Sequence, residues 1–329
     1  MDRRAFLKAG SLAAAGLAGT TMAHAAELKV WMNMTQKELD AAYTQSVYAA
    51  NWAQVSRRYA LTSAWTRRLL GEPERIPYGR QMVEALDLFR AGEGRAPVHI
   101  FIHGGAWKSG TARDYSFVAA PFVQAGIACV LPDFSSVEDA DGDLGFLAGQ
   151  LRRLVRFVYA SADSLGLDRD RLYISGHSSG AHLAAVLLAT DWTQYGLPAT
   201  VLKGGMCCSG MYDLKPVRLS CRSSYVHITD EIEEALSPQR HVDRLNAPLL
   251  LVRGSLETPE FIRQTDDFAR ACRAGGRSVQ TLVLEEYNHF EVLEPLGNPC
   301  SELARATLKL MGSRALAHCA GAGRMPFPV

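Results

Sequence analysis

Gly176-His177-Ser178-Ser179-Gly180 is the stretch of this chain that best indicates its fold. It follows a short apolar run, Leu172-Tyr173-Ile174, and precedes an Ala- and Leu-rich run over residues 181–189. This is the strand-to-helix context in which a G-x-S-x-G motif forms a sharp turn. Glycines at both ends let neighbouring backbone pass close by, while the serine hydroxyl points out above the edge of the sheet. The pattern makes Ser178 a candidate nucleophile.

Short apolar runs recur on both sides of this motif and alternate with helical patterns. Residues 86–89 alternate in polarity, which is typical of a strand at a sheet edge. Strands that alternate with helices predict a mostly parallel sheet covered by helices on both faces. The runs typical of buried strands are residues 98–102, 128–131, 172–174, 201–207, 249–252 and 279–284.

The pattern before residue 84 is helical. Thr35-Gln36-Lys37-Glu38 forms a capping box, which predicts the start of a helix. We therefore expect residues 26–83 to form a helical N-terminal arm that caps a core of residues 84–315, with a C-terminal tail over 316–329. Residues 215–240 interrupt the alternation, and they could form either a lid over a pocket or a solvated loop with one short helix.

Composition points to a small-molecule partner. With 329 residues and 48% hydrophobic composition, the chain can bury one large core. Its 35 basic and 34 acidic residues nearly cancel, so no field attracts nucleic acid or an anionic membrane.

The N-terminus predicts export. Asp2-Arg3-Arg4-Ala5-Phe6-Leu7-Lys8 is a twin-arginine pattern, and Ala23-His24-Ala25 is a small-x-small cleavage site. We expect a signal peptide over residues 1–25, cleavage near Ala25, and delivery to the periplasm or outside by the twin-arginine export machinery. The apolar stretch is too short and too rich in glycine for stable membrane insertion. A protein exported by this route folds in the cytoplasm without disulfides. Cys300 and Cys319 could then pair after export.

A second glycine-rich motif, His103-Gly104-Gly105-Ala106-Trp107, directly follows the strand predicted over residues 98–102. Here backbone N–H groups can turn toward one point and bind the oxyanion of a tetrahedral acyl intermediate. We assign the donors to Gly105 and Ala106, with Ser179 as a third, and expect His103 to fix the loop. An ordinary strand-to-helix turn is the alternative for the motif taken alone.

A serine nucleophile needs a base and a carboxylate that orients the base. His289 follows the strand predicted over residues 279–284, so it falls at the same sheet edge as Ser178. Glu257 lies on the loop after residues 249–252, with Glu260 as the alternative acid. The order Ser178, Glu257, His289 is that of an α/β-hydrolase. His177 and His182 are closer to Ser178 in sequence, and we expect them to buttress the turn.

Two further expectations concern the pocket. Aromatic and apolar side chains near the carboxyl edge are candidate walls: Trp107, Phe134, Met211 and Phe290. No cofactor or metal is predicted, because the chain has no H-E-x-x-H motif, no C-x-x-C pair and no P-loop.

The chain resembles the kynurenine formamidase, or arylformamidase, branch of the hormone-sensitive-lipase-like esterases. The resemblance covers about residues 42–312 and implies the same triad and oxyanion hole, without a cofactor. Ser179 departs from the usual alanine, and Glu257 stands where aspartate is common. The segments that carry the resemblance are residues 103–107, 176–183, 209–214 and 237–238, together with Tyr78-Gly79 and residues 86–89.

Taken together, the sequence predicts an α/β-hydrolase fold with a mostly parallel eight-stranded sheet, helices on both faces and a helical N-terminal cap. The predicted activity is hydrolysis of a small carboxylic ester or an arylamide or formamide through an acyl-enzyme. Hydrolysis of N-formylkynurenine is the narrower hypothesis. A non-catalytic binding protein with the same fold is the alternative from another class.

Overall fold

The computed structural model describes residues 28–92 and 94–313. At its centre is an eight-stranded sheet with the strand order β10-β9-β8-β7-β5-β6-β4-β3, beside a small two-stranded sheet, β1-β2. The predicted signal peptide and C-terminal tail lie outside the described residues. The strands are β1 Lys29–Trp31, β2 Met34–Thr35, β3 Glu74–Pro77, β4 Ala85–Phe89, β5 Ala96–Ile102, β6 Ala128–Pro132, β7 Leu167–His177, β8 Leu202–Cys208, β9 Leu249–Gly254 and β10 Val279–Leu284.

Helices connect most of the strands and cover the sheet. The first of them, α1, begins at the predicted capping box, in which Thr35 and Glu38 each accept from the other's backbone N–H. The helices are α1 Gln36–Ala42, α2 Trp52–Leu70, α3 Ala119–Gln124, α4 Leu144–Ala160, α5 Ser179–Leu188, α6 Leu214–Leu219, α7 Asp230–Ala235, α8 Pro259–Ala274 and α9 Glu302–Leu310.

The central strands bury side chains on both faces of the sheet. In β5, Ile100 belongs to a hydrophobic cluster that includes residues of α4, α5 and α8. Its neighbour Phe101 belongs to a second cluster on the other face, with residues of α2, α3 and α9. Successive side chains of a strand point to opposite faces, so the apolar runs are the mark of a sheet covered on both sides. The predicted fold class is confirmed.

One prediction about the sheet is wrong. Residues 86–89 are not at the edge, because β4 pairs antiparallel with both β3 and β6. The eighth strand, β3, comes from the arm that the sequence predicted to be helical. The polar residue that suggested an edge is Asp87, whose carboxylate is buried between Arg67 and Arg75 at 2.8 and 3.0 Å. The positive charges of the two guanidinium groups offset the free-energy cost of burying this carboxylate within the sheet.

Residues 215–240 pack against the core rather than forming a solvated loop. They contain α7, most of α6 and several buried side chains, among them Val226 and Leu236. Arg222, from this segment, donates to the carbonyl of Tyr43 in the arm through Nε at 3.2 Å and Nη2 at 3.1 Å. We call residues 215–240 the cap segment. The cap segment and the arm therefore meet over the carboxyl edge of the sheet. No helix in the described part of the chain is long and apolar enough to cross a membrane.

Candidate active site

Ser178 occupies a strained turn between β7 and α5. Its backbone has φ 55° and ψ −122°, which non-glycine residues rarely adopt. The flanking glycines are required by close packing: a Cβ on Gly176 would lie 2.3 Å from the Gly180 carbonyl oxygen, and one on Gly180 would lie 2.2 Å from that of Ile102. The turn is thus a nucleophile elbow, and it holds the Ser178 hydroxyl at the carboxyl end of β7.

Three predicted residues meet at this point. His289 Nε2 lies 2.9 Å from Ser178 Oγ, and His289 Nδ1 lies 2.8 Å from Glu257 Oε2. All three side chains are buried. They come from loops after β7, β9 and β10, whose parallel pairing brings their carboxyl ends to one edge. The hydrogen bonds form the continuous chain that a serine nucleophile, its base and an orienting acid require.

The second oxygen of Glu257 is also held. Glu257 Oε1 accepts from Ser209 Oγ at 2.5 Å and from the Gly254 N–H at 2.7 Å. Ser209 follows β8 and has a φ of 56°, so its backbone is strained as well. No role was predicted for Ser209. Two signals could have pointed to it: its position just after a core strand, like that of Ser178, and its place in the segment 209–214 that resembles the kynurenine formamidases.

The alternative acid, Glu260, is turned away from His289. Its carboxylate accepts two bonds of 2.7 Å from Arg263, and Glu260 Oε2 also accepts from the Tyr43 hydroxyl at 2.9 Å. Burial and the Glu260 charge raise the pKa of Tyr43 well above its ordinary value, so this phenol remains a donor. Glu260 therefore anchors the arm onto α8.

The nearby histidines support the site rather than titrate in it. Burial, with a contribution from His289, lowers the pKa of His177 to about 3, so its ring is neutral. His177 Nε2 donates to the backbone carbonyl of His289 at 2.8 Å, because a carbonyl can only accept. His182, whose pKa burial lowers to about 4, bonds through Nε2 to the Leu236 carbonyl at 2.8 Å. His182 therefore ties the elbow helix to the cap segment.

The glycine-rich loop after β5 lies beside the elbow. Gly105, Ala106 and Trp107 have φ values of 117°, 56° and 61°, so three successive residues adopt positive φ. Within the described residues, the N–H groups of Gly105, Ala106 and Ser179 have no hydrogen-bond acceptor. Free N–H groups on a turned loop and at a helix start are the donors of an oxyanion hole. His103, bonded to the Gly104 carbonyl at 2.8 Å, packs within this loop as expected.

Ser178 opens on a cavity of 430 Å³. Phe290 lines it, as predicted, but the other three predicted wall residues do not. Trp107 packs edge-on against His182, Phe134 stacks on His103 and Met211 is fully buried, so all three are core residues. The cavity is lined by Tyr43, Thr44, Gln45, Ser46, Trp52, Ser56, Tyr59, Gly105, Ala106, Ser109, Tyr115, His177, Ser178, Cys221, Arg222, Tyr225, His289 and Phe290.

The arm and the cap segment supply most of the cavity wall. Several lining residues come from the arm, among them Tyr43, Gln45, Trp52 and Tyr59. The cap segment supplies Cys221, Arg222 and Tyr225. Sequence reasoning missed all of them, because nothing local in their segments marks a pocket. Within residues 28–92 and 94–313, no group of three or more His, Cys, Asp or Glu side chains could hold a metal ion.

Comparison with known proteins finds similar sequences among hydrolases. The BD-FAE family model matches residues 86–200. Kynurenine formamidase of Danio rerio is 28% identical over 86% of this chain and 98% of its own length. Esterase LipC of Mycobacterium tuberculosis is 26% identical over 75% of this chain and 66% of its own.

Solved structures share the fold. A protein described as a thioesterase from Silicibacter sp. TM1040 superposes with a TM-score of 0.71 at 24% identity, covering 81% of this chain and 97% of its own. The esterase of Pyrobaculum calidifontis has a TM-score of 0.61 at 16% identity, covering 79% of this chain and 93% of its own. The chain is therefore similar in sequence to kynurenine formamidases and esterases, and it shares the fold of α/β-hydrolase esterases.

Proposed function

We propose that this protein is a serine hydrolase that cleaves a small carboxylic ester or an arylamide or formamide through an acyl-enzyme. The observation that carries the proposal is the hydrogen-bonded chain from Ser178 through His289 to Glu257 at the floor of a 430 Å³ cavity. That volume suits a small-molecule substrate.

Each step of the reaction has a residue in position. His289 Nε2 removes the proton of Ser178 as Oγ attacks the carbonyl carbon, and Glu257 stabilises the imidazolium that forms. The N–H groups of Gly105, Ala106 and Ser179 bind the oxyanion of the tetrahedral intermediate. His289 then gives the proton to the leaving alcohol or amine. A water molecule, deprotonated by the same imidazole, hydrolyses the acyl-enzyme and restores Ser178.

The tests of this proposal are the loss of turnover and of covalent labelling. Ser178→Ala is expected to reduce hydrolysis of 4-nitrophenyl acetate to the uncatalysed rate and to abolish labelling by a fluorophosphonate. Ser175→Ala is the matched control, since Ser175 is a buried serine of β7, the strand that leads to Ser178, and its hydroxyl has no partner in the described residues. Labelling that persists in Ser178→Ala would contradict the proposal. A wild-type protein that neither turns over nor labels would instead support the non-catalytic binding protein.

An arylformamidase activity on N-formylkynurenine is the narrower candidate. Two observations favour it: the relative in Danio rerio is a kynurenine formamidase, and the cavity wall is rich in aromatic rings, including Tyr43, Trp52, Tyr59 and Phe290. Such walls suit a flat aryl group. Comparing kcat/KM for N-formylkynurenine with that for short esters separates the candidates. Absence of formamide turnover in an enzyme active on esters would rule out the narrower one.

We also propose that the protein is exported by the twin-arginine machinery to the periplasm or beyond, with cleavage near Ala25. The Arg3-Arg4 pair and the small-x-small sequence Ala23-His24-Ala25 support this. Cys319, the suggested disulfide partner of Cys300, lies outside the described residues. Replacing both arginines by lysine is expected to keep active enzyme in the cytoplasm. Unchanged fractionation of that variant would contradict the proposal.

A further inference from the structure

Arg222 is a buried cation in the active-site cavity, and it has no anionic partner among the residues that the structure describes. It is 5% exposed, and the hydrogen bonds of its Nε and Nη2 go to the neutral carbonyl of Tyr43. Its Nη1 makes no hydrogen bond within the described residues. A guanidinium with an unsatisfied N–H in a buried site is costly unless an acceptor completes its bonds.

No acidic side chain of the cavity can serve as that acceptor. Among the described residues that line the cavity there is no aspartate or glutamate, and Arg222 is the one lysine or arginine. The other groups around the guanidinium are aromatic side chains: the rings of Tyr43 and Trp107 have their centroids 5.8 and 5.7 Å from its central carbon, and the phenol of Tyr225 also interacts with it. These rings and the Tyr43 carbonyl hold the guanidinium in one place. The cavity thus presents a preorganised positive charge.

Gln45 adds a second unsatisfied group to the same cavity. It is 7% exposed, and neither its Nε2 nor its Oε1 has a hydrogen-bond partner in the part of the chain described by the structure. Buried amides are normally satisfied, so two unpaired polar side chains in one cavity point to a polar group of a ligand. Gln45 comes from the arm and Arg222 from the cap segment, on the side of the cavity formed by those two elements.

We propose that Arg222, assisted by Gln45, binds a carboxylate that the substrate carries away from the bond to be cut. A planar guanidinium matches a carboxylate in charge and geometry. This inference rests on the proposed function, since Ser178 and Arg222 share one cavity. It narrows the substrate class to esters or amides that bear an additional carboxylate, on either the acyl or the leaving side. Arg222 is then a specificity-determining residue and takes no part in proton transfer.

The test uses two pairs of esters, each differing in a single charge. Mono-4-nitrophenyl adipate and its methyl ester place or remove a carboxylate on the acyl side. The compounds 3-carboxy-4-nitrophenyl acetate and 4-nitrophenyl acetate do so on the leaving side. We expect the wild type to prefer the charged member of one pair, which also identifies the side of the scissile bond that faces Arg222.

Arg222→Gln is expected to raise KM for that charged ester by about 10- to 100-fold, which is the usual loss for a hydrogen bond to a charged group. The loss of turnover for its neutral partner should be at least about five-fold smaller than that for the charged ester, and Arg222→Lys should recover part of the preference. Gln45→Leu should raise KM for the charged ester by about three- to ten-fold. Arg152→Gln is the matched control, because Arg152 lies outside the cavity and donates to Thr190.

The outcomes separate the two proposals. Equal effects of Arg222→Gln on charged and neutral esters, or no effect on either, would overturn the carboxylate site and leave the hydrolase intact. Such equal losses would show that Arg222 only joins the cap segment to Tyr43. A wild type that hydrolyses none of the four esters and resists fluorophosphonate would overturn the proposed function and the carboxylate site together. Melting temperatures of the variants show whether any of them fails to fold.

Discussion

Ser209 donates its hydroxyl to Glu257 Oε1 across 2.5 Å, on the carboxylate oxygen that does not face His289. The Gly254 N–H donates to that same oxygen at 2.7 Å. Glu257 Oε1 therefore fixes the orientation of the carboxylate, and Glu257 Oε2 contacts His289 Nδ1. A carboxylate held at both ends keeps the imidazole in one tautomer and one orientation, which is the task of the acid in a catalytic triad.

Removing this support is expected to slow turnover without weakening substrate binding. Ser209→Ala deletes one hydrogen bond to a charged group, so we expect kcat to fall by about 10- to 100-fold with KM unchanged. Steady-state kinetics on 4-nitrophenyl acetate measures both quantities. A fall in stability alone, with kcat preserved at a temperature where the variant is folded, would show that Ser209 is only structural.

The acid itself should matter more. Glu257→Gln preserves the size of the side chain, but it replaces the charge that stabilises the imidazolium and favours the wrong tautomer. A loss of about 10⁴-fold in kcat is expected, as for the equivalent change in other triads. Glu260→Gln is the matched comparison, because Glu260 lies three residues further along the chain, in the first turn of α8. This substitution should change the stability of the protein far more than kcat. Comparable kcat losses in the two variants would argue against Glu257 as the acid.

The oxyanion loop offers a test in which two neighbouring substitutions should reduce kcat to very different extents. A Cβ on Gly105 would lie 2.0 Å from the Ser109 carbonyl oxygen, so Gly105→Ala must displace the loop and its N–H donors. We expect kcat to fall by about 10²- to 10³-fold. Ala106→Gly keeps the N–H and relieves a positive φ, so its kcat should stay within about three-fold of the wild type. Circular dichroism of both proteins checks that the fold is retained.

Asp87 should contribute to stability and not to chemistry. Its carboxylate lies between Arg67 and Arg75, and Asp87 and Arg67 are both buried. Asp87→Asn would leave the buried Arg67 paired with the exposed Glu72 but without its buried carboxylate, at a cost of about 2 kcal/mol in the free energy of unfolding. Denaturant titration measures this loss. Lys29→Gln, which removes an exposed ion pair with Glu38, should change the free energy of unfolding far less.

Buried histidines should make the protein sensitive to acid. Burial lowers the pKa of both His99 and His177 to about 3 and that of His182 to about 4. In the unfolded chain these groups titrate near about 6.5. Below that pH the unfolded chain binds protons that the native protein does not. The stability is therefore complete above about pH 7 and decreases as the pH falls from about 6.5 toward 4.

A substitution at His99 isolates one of these contributions. The free energy of unfolding of His99→Leu should fall less between pH 7.5 and pH 5 than that of the wild type, by about 2 kcal/mol. His99 suits this test because it is fully buried and its Nε2 has no partner in the described residues. Phe101→Leu, a change on the same strand without a titrating group, should leave the pH dependence unaltered. Equal slopes for His99→Leu and the wild type would contradict the expectation.

Most of the sheet was predictable because its strands are local patterns. The buried runs and the two glycine-rich turns can be recognised within a few residues of sequence. The exceptions have physical reasons. Strand β3 is mostly exposed and, among the described strands, pairs with β4 alone, so its sequence carries no buried-strand pattern. Asp87 looked like a solvent-facing residue because its two arginine partners are 12 and 20 residues away.

The sequence by itself determined the fold class, the elbow at Ser178 and the order in which Ser178, Glu257 and His289 occur. These properties depend on local turn chemistry and on the rule that parallel strands end at one edge of a sheet. Only the tertiary structure decided that Glu257 rather than Glu260 faces His289, that Ser209 holds the carboxylate and that Arg222 enters the cavity. Arg222 meets the Tyr43 carbonyl across 179 residues of sequence. Contacts of that kind depend on how the arm and the cap segment pack over the sheet, and no short pattern of residues encodes them.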